Sequence, residues 1–94
     1  MIPSNPLSSE TIQIAVSYFA LLKEQAQKER EVLVLNPTQE THTCNDLWQL
    51  LSAQYGFTLT ASQMRVAIND AFVSWDTSLK TGDHVVFIPP VAGG

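Results

Sequence analysis

A single cysteine, Cys44, stands among 94 residues, so no internal disulfide can staple the chain, and no Cys/His cluster offers four metal ligands at a recognisable spacing. Charge is scarce too. Charged residues make up 15% of the chain, nine acidic against five basic, for a net charge of −4. That sign is wrong for holding phosphates by charge neutralisation, which argues against a nucleic-acid partner. Neither a GxxxxGK loop nor a GxGxxG turn occurs, so the chain has no nucleotide cradle of its own. No run approaches about 18 apolar residues, and Met1-Ile2-Pro3-Ser4-Asn5 lacks a basic n-region. These absences lead us to expect a soluble, cytoplasmic protein in a reducing compartment. It should engage no membrane and bind no metal or cofactor itself.

What is present is enough for one core: 45% of residues are hydrophobic, which excludes disorder of the whole chain and fits one small domain. Residues 1–10, with Pro3, Pro6 and three serines, read as a flexible leader. Ile12, Ile14, Val16 and Tyr18 then alternate with Gln13, Ala15 and Ser17, the period of a half-buried strand. Phe19 to Arg30 favours a short helix or turn, and Glu31-Val32-Leu33-Val34-Leu35 a second strand stopped by Asn36-Pro37. Thr43 with Asp46 resembles a capping box. Leu47, Leu50, Leu51 and Tyr55 follow at helical spacing, Gly56 supplies a left-handed stop, and Trp48 is expected to cover the edge of that stripe. Met64, Val66 and Ile68 predict a third strand turning at Asn69-Asp70, Phe72-Val73 a short fourth, and His84 to Ile88 a last strand after a tight turn at Lys80 to Asp83. One helix across one face of a mixed sheet is an α+β arrangement.

The tail carries the functional signal. Pro89-Pro90 withdraws two amide hydrogens from the sheet and enforces an extended exit, and Val91-Ala92-Gly93-Gly94 then sheds side-chain bulk. At about 3.3 Å per residue, the last six positions could project roughly 20 Å. Such an end suits insertion into another protein's narrow active site, where a Cβ would obstruct. Its terminal carboxylate is an anion at neutral pH and a poor electrophile, so chemistry there requires activation in trans. The plain alternative is an inert, frayed end on an interaction domain.

Other chemistry-bearing residues read as structural. Cys44 at a helix start is expected to be a small capping-region residue, although a helix N-terminus would lower its pKa somewhat. His42 and His84 have no carboxylate arranged around them and are expected to be solvated or strand-surface histidines. Trp48 and Trp75 serve as cover rather than as a stacking platform. Glu24, Glu29 and Glu31 interleave with Lys23, Lys28 and Arg30 as a mixed solvated face.

Three stretches carry a family resemblance: Phe19-Ala20-Leu21-Leu22-Lys23-Glu24, Val66-Ala67-Ile68-Asn69, and Leu79 through His84-Val85-Val86-Phe87-Ile88 to Gly93-Gly94. Together they resemble the MoaD/ThiS sulfur carriers, in particular the small subunit of molybdopterin synthase. The resemblance implies a ubiquitin-like β-grasp fold over residues 11–88, a mixed sheet on one main helix, with residues 89–94 as a protruding tail. It also implies that the chain is not catalytic alone. A MoeB-like enzyme would use ATP to adenylate Gly94, with Gly93 its steric partner, and a sulfurtransferase would complete a thiocarboxylate. A MoaE-like large subunit would spend that sulfur on the cyclic pyranopterin precursor of molybdenum cofactor, in a heterotetramer. Phe19, Lys23, Ile88, Pro89, Pro90, Val91 and Ala92 would form the partner interface. A carrier for thiamine thiazole synthesis and a ubiquitin-like modifier are the alternatives. Two departures are His84, where the family more often has an acidic residue, and Ala92, where Ser or Thr is also common.

Overall fold

The computed structural model describes residues 11–36 and 43–90. Its strands are β1 (Ile12–Tyr18), β2 (Arg30–Leu35), β3 (Arg65–Ile68), β4 (Ala71–Val73) and β5 (His84–Ile88); its helices are α1 (Leu21–Ala26) and α2 (Cys44–Tyr55), with a 3-10 turn at Ala61–Gln63. The sheet order is β2-β1-β5-β3-β4. β1 and β5 run parallel at the centre, and every other neighbouring pair is antiparallel. This is the mixed sheet and single main helix expected from the sequence.

The alternation in β1 sets the two faces. Ile14, Val16 and Tyr18 are buried, together with Val66 and Ile68 of β3, Val85 and Phe87 of β5, and Leu47 and Leu51 of α2. Burying a side chain of this size contributes about 1.5–3 kcal/mol, so the continuity of this layer decides the fold. Helix α2 starts at the predicted capping box: Asp46 N–H donates to Thr43 Oγ1 at 3.1 Å, and Thr43 N–H donates to Asp46 Oδ2 at 3.3 Å. It stops at Gly56, φ 71°.

The inward stripe of α2 departs from expectation by one position. Trp48 is 2% exposed and central to the core, whereas Leu50 is 41% exposed. The buried residues Cys44, Leu47, Trp48 and Leu51 lie three and four apart, a face rotated away from Leu50. Trp48 stacks on Phe57 at 5.2 Å between ring centroids and meets Phe87 at 5.1 Å. The large indole wins the inward position because it fills the space between helix and sheet that a leucine would leave open.

A tight hairpin holds the far end of the sheet. Asn69 and Asp70, φ 52° and 74°, form a two-residue hairpin between β3 and β4, a geometry that Asn and Asp tolerate. Asn69 also ties that hairpin to β5: its Oδ1 accepts from His84 N–H at 3.0 Å, and its Nδ2 donates to Asp83 Oδ1 at 3.1 Å.

Candidate functional site

The sheet face away from α2 has no element packed on it among the described residues. One row crosses it in register: Phe72 opposite Ala67, Ala67 opposite Val86, and Val86 opposite Ser17. Because Ala67 and Ser17 are small, the row sinks between larger neighbours. The result is an open, largely apolar concavity of about 330 Å³ rimmed by Phe19, Phe72, His84, Ile88 and Asp70. Phe19 and Phe72 are 53% and 63% exposed, unusual for phenylalanine. The Arg65 guanidinium lies over the Phe72 ring at 5.2 Å. A shallow apolar depression with aromatic rims suits a few inserted side chains of another protein better than an enclosed small molecule.

The tail leaves the sheet beside this depression. Since β1 and β5 are parallel with Tyr18 opposite Phe87, both strands finish at the same end of the sheet, bringing Phe19 next to Ile88. Pro89 is half-buried and Pro90 exposed. Val91, Ala92, Gly93 and Gly94 lie outside the described residues, as does the leader at 1–10. Lys23 is not brought into the concavity. It sits on α1 in a separate open depression with Glu24 and Lys28, and its ammonium pairs with Glu29 at 3.3 Å. That pair is exposed, so it is worth little in stability.

Phe72 is the exposed aromatic of this site that the sequence reading missed, as it missed Ser17, Ala67 and His84 as lining residues. Its signal was a large apolar residue in a short strand just past a tight hairpin. Only the register β4-β3-β5 places it across from Ile88's strand. His84 is a strand-surface histidine, as expected: it is half-buried on β5 and shares a 2.7 Å hydrogen bond with Ser17 Oγ, 67 residues away, while His42 lies outside the described residues.

Cys44 is the structural residue at a helix start that the sequence suggests, though with a different pKa, and Glu31 departs from expectation. Cys44 is fully buried, and its thiol is pushed up to about 11 by that burial and by the nearby charge of Asp83; burial overrides the lowering expected from a helix N-terminus. Glu31 is not part of a solvated face. Its carboxylate accepts hydrogen bonds from the Tyr18 hydroxyl and, at 2.7 Å, from the Tyr55 hydroxyl, while Lys28 pairs with it at 3.4 Å. Partial burial opposes ionisation, but the two tyrosine hydrogen bonds and the ammonium outweigh it and hold the carboxyl below its ordinary range. Burial, and then Glu31, push the Tyr18 hydroxyl up. This network locks β1 to β2 and to the end of α2, on the core side of the sheet.

Among the described residues no helix is long and apolar enough to cross a membrane, and no group of three or more His, Cys, Asp or Glu could hold a metal.

Comparison with known proteins agrees with this geometry. A model of the ThiS family matches residues 16–94. The molybdopterin synthase sulfur carrier subunit of Escherichia coli K12 is 35% identical over 85 residues, covering 86% of this chain and 99% of that protein. Its namesake from Drosophila yakuba is 31% identical over 86 residues, covering 88% and 92%. Among solved structures, the complex of subunits 1 and 2 of molybdopterin-converting factor from Helicobacter pylori superposes with a TM-score of 0.61 at 25% identity, covering 88% of this chain and all of that one. A β-grasp sheet, a proline-paired exit strand and these relatives lead to one conclusion: the chain belongs to the ThiS/MoaD family of ubiquitin-like sulfur carriers.

Proposed function

We propose that this chain is the sulfur carrier subunit of a molybdopterin synthase, with Gly94 as the residue that bears sulfur. The observation that carries the reading is the adjacency, at one end of the sheet, of a central strand running out through Pro89-Pro90 and an apolar depression rimmed by Phe19, Phe72 and Ile88. It is supported by the curated relatives of that name and by the Helicobacter pylori pair, in which a protein of this fold is complexed with a second subunit.

The chemistry starts from a carboxylate that is ionised above a pKa of about 3.3–3.7 and resists nucleophiles. A MoeB-like partner supplies the nucleotide site. A Gly94 oxygen attacks the α-phosphorus of ATP, and pyrophosphate leaves. The persulfide of a sulfurtransferase then attacks the acyl carbon and AMP leaves with the oxygen; a second thiol cleaves the S–S bond of the resulting acyl disulfide, leaving the thiocarboxylate on Gly94 and a disulfide on the donor. In a MoaE-like large subunit that sulfur bonds to a carbon of the cyclic pyranopterin precursor as an oxygen substituent leaves that carbon with its bonding electron pair. Water then cleaves the acyl–sulfur bond and restores the carboxylate. Gly93 keeps the approach free of a Cβ. Phe19, Phe72, Ile88 and Pro89 dock against apolar groups of the large subunit, offsetting the entropy lost when Pro90, Val91 and Ala92 are threaded into it. Lys23 steers the encounter from outside the depression.

The test is intact-mass measurement after incubation with an adenylating enzyme, ATP and a sulfur source. A gain equal to one oxygen-to-sulfur exchange on the terminal peptide is expected, and a chain extended by one residue beyond Gly94 should gain nothing. An unchanged mass under conditions that load a control carrier refutes the reading. The ThiS description of the family favours one second reading, a carrier for thiamine thiazole synthesis. Copurification with a thiazole synthase instead of a MoaE-like subunit would establish it.

A further inference from the structure

The rim of the depression contains a strained backbone corner. β1 leaves the sheet through Phe19-Ala20-Leu21-Leu22, closed by Leu22 N–H donating to the Phe19 carbonyl at 3.1 Å. Ala20 has φ 53° and ψ −127°. These are the angles of the first corner of a type II′ turn, a position glycine dominates because a Cβ crowds the backbone there. The other non-glycine residues at positive φ among those described are easier to place. Gln27 caps α1 in the left-handed helical well, and Asn69 and Asp70 are residue types that tolerate such angles.

Packing does not explain the methyl group, because Ala20 is exposed. The corner is instead imposed from both sides. Tyr18 and Leu22 are buried, and Tyr18 N–H is fixed to the Glu29 carbonyl at 2.8 Å. The chain must therefore turn from strand to helix within the residues between these anchors, which throws Phe19 out onto the open face. At such angles an L-residue lies outside its main permitted regions and is held there by the anchors on either side, whereas glycine occupies a broad well.

We propose that Ala20 is a positioning residue: it narrows the movement of the β1–α1 corner and so holds the Phe19 ring on the rim of the docking depression, at a cost in the carrier's own stability. The proposal rests on the reading of Phe19 as a contact to the large subunit. Strain at functional surfaces persists where its surroundings over-determine it, and pre-organisation is one use of it.

The experiment compares wild type, Ala20→Gly, Phe19→Ala and the double variant. Calorimetric titration uses the large subunit encoded in the same genome, alongside thermal melting and ring 13C relaxation of Phe19. Ala20→Gly should raise the melting midpoint by roughly 4–8 °C and lower the order parameter of the Phe19 ring. It should weaken binding about three- to tenfold, and add nothing in the Phe19→Ala background, as expected for coupled neighbours. A merely tolerated strain predicts the same gain in midpoint with wild-type affinity and ring order, which would overturn the proposal. Equal weakening in both backgrounds would overturn it too, by showing that the methyl touches the partner directly. If Phe19→Ala alone binds as wild type, the contact reading fails, and the ring order in Ala20→Gly still decides whether Ala20 positions Phe19.

Discussion

Replacing Phe72 by alanine should separate docking from folding. The ring is 63% exposed, and a buried phenylalanine removes on the order of 200 Å² from water. Docking therefore has roughly 125 Å² left to bury at this residue, of which alanine retains about a fifth. At about 25 cal/mol per Å², the loss is near 2.5 kcal/mol, or close to 60-fold in Kd as an upper bound. Incomplete burial in the complex brings the expected weakening to roughly 10- to 60-fold. The variant should lose no more than about 1.5 kcal/mol of stability, because only about a third of the ring is buried in the free protein. Titration calorimetry against the large subunit, paired with urea denaturation, reads both quantities. Wild-type affinity would show that the depression is not where the partner sits. A large loss of stability would show that Phe72 belongs to the folded core.

Two further predictions concern groups remote from the tail. The Glu31 carboxyl is held below its ordinary range, so its stabilising contribution is complete above its unfolded pKa of about 4.3 and is lost as pH falls through the lower folded value. Thermal midpoints of wild type and Glu31→Gln should therefore differ at pH 7 and converge in acid, and a gap independent of pH would contradict the network drawn around Tyr18 and Tyr55. Cys44, buried and pushed up to about 11, should resist a disulfide-exchange reagent at pH 8 in the native state and react only on unfolding; prompt native labelling would refute its burial.

Much of the fold was legible because its signals are local. The period-two pattern of Ile12 to Tyr18, the capping pair Thr43 and Asp46, the stop at Gly56 and the Asn69-Asp70 hairpin each depend on a few adjacent residues. Trp48 was misplaced because a helix stripe read from leucines is ambiguous by one position, and volume, which periodicity ignores, decided it. Glu31 looked solvated among neighbouring charges, since its tyrosine partners lie 13 and 24 residues away. The candidate site was half visible. Phe19 and Ile88 came from resemblance, but Phe72, Ser17 and His84 join them only through the register of β1, β5, β3 and β4, which no short window contains.

The parallel pairing of Ala15 to Tyr18 with His84 to Phe87 has a mechanical consequence. Tension applied at Pro90, as when a threaded end is drawn back out of a channel, pulls β5 lengthwise past β1 and β3. The interstrand bonds are then sheared together rather than unzipped singly. If the proposed cycle of loading and discharge draws on this end repeatedly, the same geometry gives the carrier a body that stays folded under traction.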